Sequence, residues 1–290
     1  MSRALSAALR GDEPSIVTGL TWAPVEALAE FLGCDAHDPA RLLLDFALLA
    51  QLDFVVVPAE ESWAAKCVAL LHEADVSVLW AVSGPLGRVA GRDGWVSTLR
   101  LSAAEPERLS ELLAHAIEGV FADVDAGVAA HVDAFLLADD IAGAGGPLLQ
   151  PEYALRALVP LYARVISRVA ETGIPAVFHS DGDIRFLMPA LAQAGFAGVH
   201  VAGVPGAAVA ELHATAREQH FVVLGGIAAA GLAQGAEQRA ELVGAEAARL
   251  ALLGGTVVCD DGGFASASEL ASFLSALDVV RTLTATRDCS

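Results

Sequence analysis

The chain has 290 residues, 55% of them hydrophobic and 18% charged, which excludes a disordered polymer and suffices for one large core. Acidic residues outnumber basic ones 36 to 17, a net charge of -19, and the basic residues are scattered, so the basic stripe of a nucleic-acid binder is missing. Mean hydropathy is +0.54, yet charged, Gly or Pro residues interrupt every apolar run short of the roughly 18 residues that a membrane span requires.

The amino-terminal stretch through Pro14 turns charged after Arg10 and holds no apolar core with a cleavage site, so the expectation is a cytoplasmic protein. Apolar runs rich in β-branched residues then alternate with Ala/Leu-rich stretches of helical period. The predicted strands are Ile16 to Thr21, Phe54 to Pro58, Ser77 to Val82, Ala134 to Leu137, Ala176 to Phe178, Gly198 to Val201, Phe221 to Leu224 and Thr256 to Cys259. Between them the period predicts helices over Ala40 to Leu52, Trp63 to Ala74, Pro106 to Ala130, Pro151 to Thr172, Ile184 to Ala194, Ala207 to Gln219 and Ala236 to Leu253. Gly173-Ile174-Pro175 and Gly195 are helix stops. The stretch from Gly84 to Leu101, dense in turn residues, reads as an elaborated loop.

Eight βα units of this length predict an α/β fold, a (β/α)8 TIM barrel. The alternative, an open doubly wound sheet, calls for a glycine-rich phosphate turn after the first strand, and Thr18-Gly19-Leu20-Thr21-Trp22-Ala23 does not supply one. No repeat, charge block or Pro/Ser-rich linker divides the chain, so a single domain over residues 1–290 is expected.

In such a barrel the chemistry sits at the carboxyl ends of the strands. Those ends are acidic here: Glu60 and Glu61 after the second strand, Asp139 and Asp140 after the fourth, His179-Ser180-Asp181-Gly182-Asp183 after the fifth, and Asp260 and Asp261 after the eighth. Asp and Ser at such turns also serve as plain caps, and Asp183 reads as one. His179 and Asp181, at i and i+2 of an extended segment, point to the same side. That pair suits a divalent metal, or a proton donor with its orienting partner; a histidine at a strand end also serves simply as a hydrogen-bonding residue. His37, His72, His115, His131, His213 and His220 fall on helices or loop edges and receive no role.

The four cysteines, Cys34, Cys67, Cys259 and Cys289, form no C-x-x-C pair. Cys259, beside Asp260, reads either as a zinc thiolate or as buried packing. Gly225-Gly226 and Gly262-Gly263 read as a phosphate site or as places of close backbone approach, and no neighbouring basic residue supports the phosphate.

The run from Leu52 to Glu60, Gly84-Pro85, Asp139-Asp140-Ile141-Ala142-Gly143 with the helix after Pro151, Phe178-His179-Ser180-Asp181-Gly182, and Leu224-Gly225-Gly226-Ile227 together resemble the uroporphyrinogen decarboxylase superfamily. That superfamily includes cobalamin-dependent methyltransferases. The resemblance implies a TIM-barrel enzyme whose members are often homodimers. Its decarboxylases carry an arginine in a Gln-Ala-Gly-Arg-Tyr motif after the first strand, where this chain has Leu20-Thr21-Trp22-Ala23-Pro24-Val25-Glu26. A polyanionic tetrapyrrole would be repelled by an acidic mouth.

Glu60 stands where the decarboxylases have their catalytic aspartate. The methyltransferases hold zinc with His-x-Cys and a distant cysteine; His179 matches the first ligand, Asp181 takes the place of the first cysteine, and the last falls near Asp261 or Gly262. The resemblance therefore implies a corrinoid-linked methyltransferase that works with a corrinoid partner protein on a small-molecule substrate. Its divalent metal, zinc by preference, would be held by His179, Asp181 and Glu60 or Asp260, with Glu60 or Asp140 as proton donor. Decarboxylation of a tetrapyrrole or small carboxylic acid, with Glu60 as the acid, and non-catalytic binding of a ligand or corrinoid protein are the alternatives.

Overall fold

The computed structural model describes residues 4–11, 16–204, 206–233 and 237–285; Cys289 and the Ala236 end of one predicted helix lie outside the described residues. The fold is the expected (β/α)8 barrel. Its strands are β1 (Gly19–Leu20), β2 (Phe54–Pro58), β3 (Ser77–Ser83), β4 (Ala134–Ala138), a short hairpin of β5 (Ala142–Gly143) and β6 (Gly146–Pro147), β7 (Ala176–Asp181), β8 (Gly198–Ala202), β9 (Val222–Ile227) and β10 (Thr256–Asp260). The sheet runs β1-β2-β3-β4-β7-β8-β9-β10. Strands buried on both faces explain the near-continuous Val/Leu/Phe runs that marked them in the sequence. Among the described residues no helix is long and apolar enough to cross a membrane.

The chain divides into two compact units. The first comprises Met1–Val57, Glu61–Leu79 and Val222–Ser290. In it β1 pairs with β2 (Gly19 opposite Phe54), β9 with β10 (Cys259 opposite Gly226), and the Val258 amide donates to the Val17 carbonyl at 2.9 Å. The predicted strand from Ile16 to Thr21 shrinks to two residues because the Asp53 carboxylate, at 2.7 Å, takes the Thr18 amide that a ladder would have used. Helix Ala267–Thr284, absent from the sequence reading, starts on a capping box in which Ser266 Oγ accepts from the Glu269 amide and Glu269 returns the bond to the Ser266 amide. It buries Leu270, Phe273, Leu277 and Val280 and packs against helix Glu237–Leu252.

The second unit comprises Pro58–Glu60 and Trp80–Phe221. Here β4, β7 and β8 lie in parallel register, with Ala138 opposite His179 and His179 opposite His200. The expected loop from Gly84 to Leu101 is instead two helices, Pro85–Asp93 and Trp95–Ala104, joined at Gly94. Pro85 opens the first at N1, and the Asp139 carboxylate accepts from the Leu86 and Gly87 amides, which offsets the weak propensity of its glycines. The helix predicted after Pro151 contains a π-helical turn, Ala154–Leu158, just ahead of Pro160, which has no amide to donate to the preceding turn.

Candidate functional site

The His-Ser-Asp-Gly stretch closes β7, and each of its residues has a separate task. Side-chain alternation sends His179 and Asp181 to one side and Ser180 to the other. Ser180 is fully buried; its Oγ accepts from the Ile141 amide at 3.0 Å and donates to the Asp181 carbonyl at 2.8 Å, so it anchors the chain that leaves β4. Gly182 lies at φ +72°, and a Cβ there would run into the backbone of Gly143 in the β5–β6 hairpin. These two contacts bring Asp140 to the end of β7, where its Oδ1 accepts the Asp181 amide at 3.0 Å.

The result is a cluster of three potential ligands. His179 Nε2 lies 3.7 Å from Asp140 Oδ1 and 4.0 Å from Asp181 Oδ1, and one ligand atom from each of the three residues falls within 4.8 Å of the others. Burial pushes the His179 imidazole down to about 4, against the opposing effect of its bond to the His200 carbonyl, so the ring is neutral at physiological pH. Burial, and then the neighbouring charge of Asp140, raises the Asp181 carboxyl.

His200, which the sequence reading passed over, lies directly against His179. The rings stack with centroids 4.8 Å apart at 27°, and the two Nδ1 atoms are 2.8 Å apart. His179 Nδ1 also lies 3.2 Å from the His200 carbonyl oxygen. The overlooked signal was a histidine inside the apolar run Gly198–Ala202 on the strand next to His179.

Asp139 and Asp140 diverge although they are adjacent. Asp139 is buried, and its carboxylate accepts from the Leu86 amide (3.1 Å), the Gly87 amide (2.6 Å) and the Tyr162 hydroxyl (2.8 Å). Burial raises it to about 6, against the lowering effect of those bonds. Gly84 makes room, because a Cβ there would overlap the Asp139 carboxyl.

The other predicted residues fall as follows. Glu60 is exposed just after β2, in the same unit as the cluster. Asp260, expected as a metal ligand, is fully buried in the other unit; it accepts from the Thr21 amide (2.7 Å), the Thr21 hydroxyl and the Gly263 amide (2.6 Å). These bonds tie the chain after β1 to the chain after β10, and the three-residue cluster does not include Asp260. Asp261 accepts from the Ala229 amide at 2.8 Å. Asp183, expected to cap a helix, accepts instead from the Arg185 amide and guanidinium, and helix Met188–Ala194 begins later than predicted. Cys259 is fully buried, and burial raises its thiol well above the ordinary range, as for a packing residue.

The donors present suit a borderline divalent cation: one neutral imidazole nitrogen and two carboxylates, with the far side of the imidazole held by a backbone carbonyl. Thiolates contribute nothing to the cluster among the described residues.

The profile of the uroporphyrinogen decarboxylase (URO-D) family matches residues 38–244. Among solved structures, a methyltransferase from Methanosarcina mazei superposes with a TM-score of 0.75 at 18% identity, covering 96% of this chain and 98% of that one. The structure of SacUVDE gives a TM-score of 0.50 at 9% identity over 93% of this chain and 99% of its own, a likeness of fold. A comparison with curated proteins gives no match.

Proposed function

The chain belongs to the uroporphyrinogen decarboxylase family, and from that premise we propose that it is a metal-dependent methyltransferase that works with a corrinoid partner protein. The observation that carries the reading is the convergence of His179 Nε2, an Asp140 oxygen and an Asp181 oxygen within 4.8 Å of one another. The charge of Asp140 raises the neighbouring Asp181 carboxyl, and a cation between the two carboxylates would relieve that repulsion. A divalent cation, zinc by preference, would be held by these three residues and would supply Lewis acidity toward the methyl donor or acceptor.

The chain's own residues prepare that chemistry. The Asp181 amide orients Asp140, the Ser180 hydroxyl holds the segment after Asp140, and the buried neutral imidazole keeps its electron pair available at neutral pH. Glu60, exposed after β2, is the proton donor in this reading. The fold-level likeness to the Methanosarcina methyltransferase favours this branch of the family. The absence of arginine between Leu20 and Glu26 and the surplus of acidic residues argue against a polycarboxylate substrate.

The test is a paired assay of zinc-loaded protein. Methylcobalamin is supplied with a thiol acceptor and demethylation is followed by corrinoid absorbance, while a parallel sample receives uroporphyrinogen and is analysed by chromatography. Thiol-dependent demethylation that disappears in His179→Ala is expected. Decarboxylated porphyrinogen without demethylation would overturn the reading in favour of the decarboxylase alternative.

A further inference from the structure

The two histidines on neighbouring strands offer an inference that rests on the cation site proposed above and deepens it. In parallel register His179 and His200 are direct partners, so their side chains leave the sheet on the same side and their rings stack. Two atoms of residue 200 approach His179 Nδ1: the carbonyl oxygen at 3.2 Å and the ring Nδ1 at 2.8 Å. A carbonyl oxygen only accepts, so the hydrogen belongs on His179 Nδ1. His200 Nδ1 then accepts that same hydrogen, and the proton of the His200 ring sits on its Nε2.

The two rings thus carry opposite tautomers. His179 presents the bare electron pair of Nε2 to Asp140 and Asp181, the form a metal ligand requires. The reverse arrangement, with His200 Nδ1 donating, would set the His179 Nδ1 electron pair against a carbonyl oxygen and place a hydrogen on Nε2, where it would block a cation.

We infer that His200 is a positioning residue: its backbone carbonyl sets the tautomer of His179, and its buried ring, as second acceptor of the same hydrogen, holds the ring plane so that Nε2 faces the two carboxylates as a ligand. It is not one of the three residues of the cluster and acts through His179. Its role therefore differs from that of a filler, which any ring of similar size would replace.

Two measurements on the full-length protein test this. In metal-free wild type near pH 7, long-range proton–nitrogen correlation of the histidine rings should give His179 a protonated Nδ1 and a bare Nε2, and His200 the opposite pattern. Calorimetric titration with Zn2+ should then show His200→Phe weakened about 10- to 100-fold, the usual effect of losing such a supporting partner. His200→Asn, whose side-chain oxygen can accept in place of Nδ1, should recover most of the affinity. A proton found on His179 Nε2, zinc affinity in His200→Phe equal to wild type, or no recovery in His200→Asn would overturn the inference. Should wild type bind no zinc, the cation reading fails, while the tautomer pattern still judges the role of His200. Should His200→Phe not fold, the tautomer pattern and His200→Asn decide.

Discussion

Replacing Tyr162 by Phe removes one hydroxyl from a fully buried ring whose oxygen lies 2.8 Å from the Asp139 carboxylate. The cost depends on the charge of its partner. Asp139 is raised from an ordinary 3.8 to about 6. Between these values the folded chain holds a proton that the unfolded chain has lost. The stabilisation from that proton is complete below about pH 3.8, falls as the pH rises through 6, and is gone above it, a change of about 3 kcal/mol. Above pH 6 the Tyr162 hydroxyl, with the Leu86 and Gly87 amides, holds a buried anion.

Hydrogen bonds to charged groups contribute about 1.5–3 kcal/mol and neutral ones about 0.5–1.5 kcal/mol. Urea denaturation should therefore show Tyr162→Phe destabilised by about 2 kcal/mol near pH 8 and by about 1 kcal/mol near pH 5, with an unchanged m-value. The variant also loses a bond that lowers the carboxyl, so its stability should fall more steeply than wild type as the pH rises from 5 to 8. An equal penalty at both pH values would refute the assignment of a buried, ionising Asp139.

Other substitutions probe the remaining supports. Gly182→Ala combines a left-handed φ of +72° with a collision against Gly143, so thermal unfolding should report a loss of about 2 kcal/mol or more. Thr21→Val leaves the volume nearly unchanged but strips the hydroxyl donor from buried Asp260, and denaturation should show a loss of about 1–3 kcal/mol with zinc affinity unaltered. Glu60→Gln, at an exposed position, should change stability by less than about 0.5 kcal/mol while lowering demethylation turnover; full turnover in this variant would remove Glu60 from the mechanism.

The alternation of strands and helices was legible because strands buried on both faces are near-continuous runs of Val, Leu and Phe, and the helices keep their 3.6-residue period. The His179/Asp181 pair was legible because alternation along one strand requires only the sequence. The rest depends on contacts between distant segments. His200 joins His179 through the register of β7 with β8, and no spacing within either strand reveals that pairing. Asp139 and Asp140 look alike on paper, yet one is captured by the start of helix Pro85–Asp93 and the other by the Asp181 amide. The same capture turned the glycine-rich segment after Gly84 from an expected loop into a helix. Asp260 had the right residue type at a strand end, but Thr21 and Gly263 claim its oxygens. Helix Ala267–Thr284 carried a readable capping box in Ser266 and Glu269 that the strand count left aside.

The proposed function stands or falls on whether Asp140, His179 and Asp181 hold a divalent cation. Its most direct test is metal analysis of protein purified without chelator, joined to calorimetric titration of the stripped protein with Zn2+ near pH 7. Wild type should bind one equivalent, lost in His179→Ala and in Asp140→Asn while both variants keep wild-type helical content. Folded wild type that binds no more zinc than His179→Ala would contradict it.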